Sequence, residues 1–229
     1  MAPTDGPKVK VTKDGPYLLE GAVPVSPQVI EADAAGECVA WREGEPLPAR
    51  ASCALCRCGE SHAKPYCDGS HRTVGFDGTE TATHRSYEET ATRIEGPVVD
   101  LLDDLTLCAE ARFCAARGAA WRLVGRDDPE AGRIVVDEAC LCPSGRYTAV
   151  DKTTGDVIEP ALPVSIGLVE DPSQGVSGPI WLRGGIPVLA ADGTEYEVRN
   201  RVTLCRCGES HNKPFCDARH VEIGFDASE

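Results

Sequence analysis

Two segments of this chain place three cysteines and one histidine at identical spacing. The first, CRCGESHAKPYCDGSH, holds Cys56, Cys58, Cys67 and His71; the second, CRCGESHNKPFCDARH, holds Cys205, Cys207, Cys216 and His220. Both read C-x-C-x8-C-x3-H, and 12 of the 16 positions are identical. Three thiolates and one imidazole in a single loop complete a four-coordinate metal site. A chain carrying two such loops folds around metal ligation as much as around an apolar core.

Composition narrows the setting. The formal charge of −14 and pI near 4.8 repel phosphate backbones and anionic lipid, so nucleic acid and membrane surfaces are not expected partners, whereas a basic protein partner is compatible with them. Aromatic residues are only 5%, which suits small irregular modules better than one large core. Twelve cysteines invite a disulfide framework. Residues 1–16, however, carry no apolar leader and no run of 18 apolar residues exists, so the expectation is a cytoplasmic chain with reduced thiols. No Walker A loop, G-x-G-x-x-G or H-E-x-x-H is present, and no enzymatic activity is expected.

The repetition extends past the ligands. Gly15-Pro16 and Pro24-Val25 precede the first loop as Gly178-Pro179 and Pro187-Val188 precede the second; Gly75-Phe76-Asp77 follows the first as Gly224-Phe225-Asp226 follows the second. The first copy has 14 extra residues between its Pro-Val and its loop. Three modules are expected, at residues 1–78, 79–170 and 171–229, with Asp171–Gly178 as a linker into the third. Alternation at Tyr196, Val198, Val202 and Leu204 predicts a strand delivering Cys205. Asp68 and Asp217 predict either a helix cap or an Asx turn before each ligand histidine. Residues 94–107 read as a strand or amphipathic stretch, and Gly125–Gly132 as a loop. Cys38 and Cys53 have no partner at ligand spacing and read as structural.

Donor chemistry alone admits structural zinc or an iron–sulfur cluster. A single residue between the first two cysteines is tighter than the spacing usual in zinc fingers, and the layout suits two donors on each of two metals. His62 and His211 also repeat and are rival imidazole donors; His84 reads as a surface residue. Lys64 and Lys213 repeat as solvated lysines.

These loops, with their flanking Gly-Pro, Pro-Val and Gly-Phe, resemble the signature of the CDGSH iron–sulfur family, the mitoNEET-type proteins. The resemblance implies one 2Fe–2S cluster on Cys56, Cys58, Cys67 and His71 and a second on Cys205, Cys207, Cys216 and His220. It also implies a strand-exchanged dimer, which one chain with two units would form internally as a pseudo-dimer. A neutral imidazole in place of a thiolate raises the reduction potential; two-histidine Rieske centres reach about −150 to +300 mV against about −400 mV for plant-type clusters. Protonation of the ligand histidine is the family's route to releasing clusters. The second loop departs from the signature at Ala218-Arg219, which implies unequal potentials.

The 79–170 module carries Cys108, Cys114, Cys140 and Cys142. The order Cys108-x5-Cys114, 27 residues, then Cys142-Pro143 resembles the one-cluster bacterial ferredoxins and implies a 3Fe–4S or 4Fe–4S cluster on Cys108, Cys114 and Cys142, with Cys140 spare. Expected overall are an α+β, β-rich fold of two CDGSH-type units around a ferredoxin-like insert, monomeric, carrying electrons to a redox protein. Cluster donation to an apo-protein, redox or pH sensing, and zinc-bound interaction are the alternatives.

Overall fold

The computed structural model describes residues 6–228. The first five residues of the stretch read for a leader lie outside the described residues. In chain order the strands are β1 (Lys8–Val11), β2 (Tyr17–Glu20), β3 (Val25–Ala32), β4 (Cys38–Glu43), β5 (Ser52–Leu55), β6 (Thr92–Ile94), β7 (Val99–Asp103), β8 (Tyr147–Asp151), β9 (Val157–Ile158), β10 (Ser165–Asp171), β11 (Val176–Arg183), β12 (Val188–Leu189) and β13 (Arg201–Leu204). Among the described residues, four of the five α-helices are single turns: α1 (Ser70–Thr73), α2 (Tyr87–Thr90), α3 (Ala120–Leu123) and α5 (Arg219–Glu222); α4 (Pro129–Leu141) is the long one. The result is α+β and β-rich.

The strands form three sheets, ordered β12-β1-β2-β5, β13-β11-β10-β3-β4 and β6-β7-β8-β9. The first two exchange strands between the repeats. After Pro187, β12 leaves the second unit and pairs in parallel with β1, Val9 against Val188. After Pro24, β3 leaves the first unit and pairs in parallel with β10, Ile166 against Val25. The entry bonds match: the Val9 amide donates to the Pro187 carbonyl at 2.9 Å and the Ile166 amide to the Pro24 carbonyl at 2.8 Å. Val9, Val11, Tyr17, Leu19 and Leu55 pack in one core with Ile166, Ile180, Leu182 and Leu204. The 14 extra residues lengthen β3 and add the β3–β4 hairpin at that sheet's edge.

The two ligand loops back onto each other through peptide backbone. A Cβ on Gly59 would stand 2.5 Å from the Cys207 carbonyl oxygen, and one on Gly208 would stand 2.5 Å from that of Cys58. Both glycines also have positive φ, of 81° and 88°.

The insert has its own core of Val99, Leu101, Leu123, Val135, Ala139, Tyr147 and Ala149. Several local expectations are corrected here. Pro129–Gly132 is helix, not loop: the Asp128 carboxylate accepts from the Glu130 amide and Pro129 occupies the first turn, where its missing N–H is no loss. Gly132 allows Val98 to approach that helix, since a Cβ there would lie 2.5 Å from a Val98 methyl. Residues 92–107 form β6, β7 and a 3₁₀ turn at Leu105–Leu107. The segment Asp171–Gly178 is the β10–β11 hairpin, its turn closed by the buried Asp171 carboxylate, which accepts from the Ser173 hydroxyl. β10, assigned by sequence to the insert, pairs with β3 and β11 in the sheet that joins the repeats. Only Arg201–Leu204 of the strand expected from Tyr196 is extended and paired; Tyr196 is buried under His84 and against Phe215, and Val198 is 47% exposed.

Gly208→Ala is expected to destabilise the metal-free chain by about 3 kcal/mol, combining a backbone clash with left-handed strain. Gly193→Ala, at φ 92° with nothing within 4 Å of its Cβ, isolates the strain and should lose only about 1 kcal/mol. Urea unfolding of the two variants measures the difference.

Candidate metal centres

Each ligand loop is held by the strand that delivers it. β5 leads into Cys56 and β13 into Cys205. The chain then turns back, so that the Cys56 amide donates to the Pro65 carbonyl (2.8 Å) and the Cys67 amide to that of Ala54 (2.9 Å). The second loop repeats this with Cys205 to Pro214 and Cys216 to Thr203, both at 2.9 Å. Ser61 and Ser210 close the interior of each loop on the carbonyls of Tyr66 and Phe215. The Lys64–Pro65 and Lys213–Pro214 peptides are both cis.

The aspartate before each histidine makes an Asx turn and does not cap the helix. Asp68 accepts from the His62 amide at 2.9 Å and the Ser70 amide at 3.0 Å; Asp217 accepts from those of His211 (2.8 Å) and Arg219 (3.2 Å). Hydrogen bonds from Ser70 and His62 hold the Asp68 carboxyl below the usual carboxylate range. The cap positions are Gly69 and Ala218, at φ 97° and 70°. The alanine of the second loop therefore occupies a left-handed position that the first loop gives to glycine.

This framework gathers the donors in pairs. Cys56 Sγ and Cys58 Sγ are 3.8 Å apart, and Cys67 Sγ and His71 Nδ1 3.3 Å. In the second loop Cys205 and Cys207 are 3.8 Å apart, and Cys216 and His220 3.5 Å. Tetrahedral coordination at ~2.3 Å to sulfur and ~2.0 Å to nitrogen sets two donors on one metal ~3.5–3.8 Å apart. Each pair thus fits two donors of one metal. Among the described residues, no group of three or more His, Cys, Asp or Glu is placed around a single ion.

Within each pair one thiol ionises ahead of the other: a hydrogen bond from Cys58, aided by the Ser61 and Gly59 amides, lowers the Cys56 thiol while raising that of Cys58, and Cys205 and Cys207 divide in the same way. Burial pushes Cys216 up, with further negative charge from Cys205 and, across the module boundary, Cys108. Burial pushes His220 down to about 4, keeping its imidazole neutral and its lone pair available. His220 is 5% exposed, whereas His71 is only partly buried.

His62 and His211 are not brought to the sulfurs. Their side chains are 89% and 78% exposed, beside Asp68 and Asp217. Lys213 lies over the Phe76 ring. Arg219, expected to act on the second site, pairs its guanidinium with the Glu222 carboxylate, which offsets its charge. Sequence reasoning missed Arg57 and Arg206, the residues between the paired cysteines, although their identity in both copies was the signal. Both are buried. Arg57 donates to the Thr12 and Gly78 carbonyls, and Arg206 pairs with Glu170. Tyr17, from the first unit, donates to the Cys205 and Pro214 carbonyls and so braces the second loop.

In the insert, Cys108, Cys114 and Cys142 line one cavity of about 580 Å³ with Arg112, Trp121, Arg146 and Tyr147. Cys140 does not reach it; its thiol lies 3.9 Å from the Ile158 carbonyl and borders a separate groove. Arg146 donates to Cys108 Sγ at 3.2 Å while its fork grips Asp103 at 2.7 and 3.1 Å. Burial pushes the Cys114 thiol up to about 12, with the negative charge of Cys142 adding to it. Glu110 and Arg112 have positive φ, of 51° and 62°, so the C-x5-C backbone curls around the cavity. Cys38 is buried on β4 in a core with Ile30, Phe113 and Trp181, and Cys53 on β5 is half-buried against the main core.

A family model described as "Iron-binding zinc finger CDGSH type" matches residues 14–72 and 177–221. The chain thus carries two CDGSH-type iron-binding segments in tandem. No curated protein and no solved structure matches it. Among the described residues, no helix is long and apolar enough to cross a membrane.

Ala218→Gly is expected to stabilise the chain by on the order of 1 kcal/mol, by relieving a left-handed alanine; thermal unfolding of the metal-free protein reads this. Since solvent reaches His71 more readily than His220, an iron chelator is expected to strip the first site before the second, followed by the spectral change of Cys205→Ala and Cys56→Ala variants.

Proposed function

We propose that the chain is a cytoplasmic, monomeric iron–sulfur electron carrier. Cys56, Cys58, Cys67 and His71 hold one 2Fe–2S cluster; Cys205, Cys207, Cys216 and His220 hold a second. The pairing of donors carries this reading: two pairs per loop supply two irons, whereas mononuclear zinc needs four donors around one ion. The reciprocal strand exchange supports reading the two units as an intramolecular pseudo-dimer.

An iron–sulfur cluster takes up and returns single electrons without bond rearrangement in a substrate. The chain's own residues set the conditions. The paired thiols lose protons readily at Cys56 and Cys205. Asp68 and Asp217 hold each histidine's loop in place before metal arrives. Neutral imidazole in place of a fourth thiolate lowers the negative charge of each site and favours reduction. The partly exposed edge at His71 is the natural contact for a redox partner, and the acidic surface favours a basic one.

The middle module holds a third, 3Fe–4S or 4Fe–4S cluster on Cys108, Cys114 and Cys142. These three thiols line one cavity while Cys140 faces elsewhere, and Arg146 offsets thiolate charge at Cys108. The positive-φ residues of the C-x5-C loop bend successive amides into a concavity of the kind that cradles iron–sulfur sites.

Iron and acid-labile sulfide analysis with EPR tests the whole reading. About seven or eight irons per chain are expected, falling to about four in Cys142→Ala, with a coloured oxidised spectrum. A colourless chain carrying zinc would overturn it. Donation of clusters to an acceptor is a second reading, favoured by the exposure at His71. It predicts that the chain converts apo-ferredoxin to the holo form, faster at pH 6 than at pH 8. Clusters that stay in place in both redox states exclude it.

A further inference from the structure

The two ligand loops are near copies, yet only one of them is built into the insert. Asn212, within the second loop and four residues before Cys216, donates to the Thr106 carbonyl at 3.0 Å, two residues before Cys108. Arg201, 1% exposed on β13 and four residues before Cys205, donates to the carbonyls of Cys142 (2.9 Å), Ala139 and Tyr147. Glu159 balances its charge. Arg199 donates to the Gly145 carbonyl at 2.7 Å and covers the Tyr87 ring at 4.1 Å. The Tyr87 hydroxyl in turn donates to the carbonyl of Arg146, the residue whose guanidinium touches Cys108. The ligand segments around Cys108 and Cys142 are therefore both tied to the strand and loop that carry the second site. Thr81, at the start of the insert, also donates to the His211 carbonyl across that loop.

The first copy lacks these ties at the matching positions, 149 residues earlier. Asn212 corresponds to Ala63, which has no polar side chain, and Arg201 to the short Ser52. Arg199 corresponds to Arg50, which instead covers Tyr66 of its own loop at 3.8 Å. The first loop meets the second through the reciprocal glycine–cysteine backbone approach.

We infer that the three centres are connected in the order middle, second, first: the centre on Cys108, Cys114 and Cys142 communicates with the Cys205–His220 site, and through it with the Cys56–His71 site. This rests on the three-centre reading proposed above. The consequence is a wire with two ends, one at the open middle cavity and one at His71, and with the buried second site as its relay. The second site keeps the same donor set as the first but has lost its access to solvent, as a relay requires.

The test uses full-length chains bearing one CDGSH-type centre each, Cys56→Ala and Cys205→Ala, followed by potentiometric EPR titration. Emptying the middle site with Cys142→Ala is expected to change the reduction equilibrium of the second centre at least three-fold, ~28 mV at ~59 mV per tenfold. The first centre should change by much less. Equal changes at both centres, or a change at the first alone, overturn the order. Should Cys142→Ala fail to fold, Asn212→Ala takes its place. It copies the residue of the first loop, removes no ligand, and is expected to weaken the magnetic interaction between the middle and second signals while iron content stays unchanged. An undiminished interaction counts against the tie. Iron and sulfide analysis of the unaltered chain separates the two levels: about four irons per chain remove the middle centre and the order with it, whereas about seven or eight leave the order to the titration.

Discussion

The two metal loops are each other's wall. Gly59 lies against the Cys207 carbonyl and Gly208 against that of Cys58, with no room for a single methyl group between them. A contact this close between main chains tolerates almost no adjustment, so the position of either cysteine pair is set by the other. The exchanged β3 and β12 follow from the same constraint. Each unit's sheet is completed by a strand from the other, and the apolar side chains of both close one core. Arg57 and Arg206, between the paired cysteines, reach outward to fixed carbonyls or to Glu170 and pin the loops from behind.

The departures from symmetry fall where the insert meets the repeats. A buried arginine with a carboxylate partner is seldom a large net contributor to stability, because desolvation offsets much of the attraction. Arg201 is better understood through geometry: five directed N–H groups hold three carbonyls and Glu159 in fixed relation. Trp41, tilted against Phe113 at 4.8 Å and Trp181 at 4.9 Å, adds a second seam between the insert and the central sheet.

The candidate donors stood out in the sequence because spacing and residue type are local properties, and the structure brings them together in pairs. Of the strand read from alternation at Tyr196–Leu204, only Arg201–Leu204 is a strand, and it is buried on both faces. What was not legible depended on contacts distant in the chain. Residues 125–132 read as a loop from their glycines and proline, but Asp128-Pro129 is a helix start whose glycine admits Val98. The segment after Asp171 read as a linker because its composition is that of any turn; only its pairing partners reveal a hairpin. Nothing local distinguishes β10 from a strand of the insert, since its neighbour β3 lies some 140 residues upstream. The separation of Cys140 from Cys142 follows from helix geometry: α4 ends at Leu141, and the two thiols leave it in different directions.

Strand exchange also bears on the order in which such a chain matures. β1 cannot gain its parallel neighbour until residues 188 and 189 have been synthesised, and Gly59 has nothing to rest against until Cys207 exists. The first ligand loop emerges from the ribosome long before its scaffold is complete. The surroundings of Cys56–His71 are therefore complete only at the end of synthesis, and a chain truncated after the insert would carry these four candidate donors without the contacts that keep them in place.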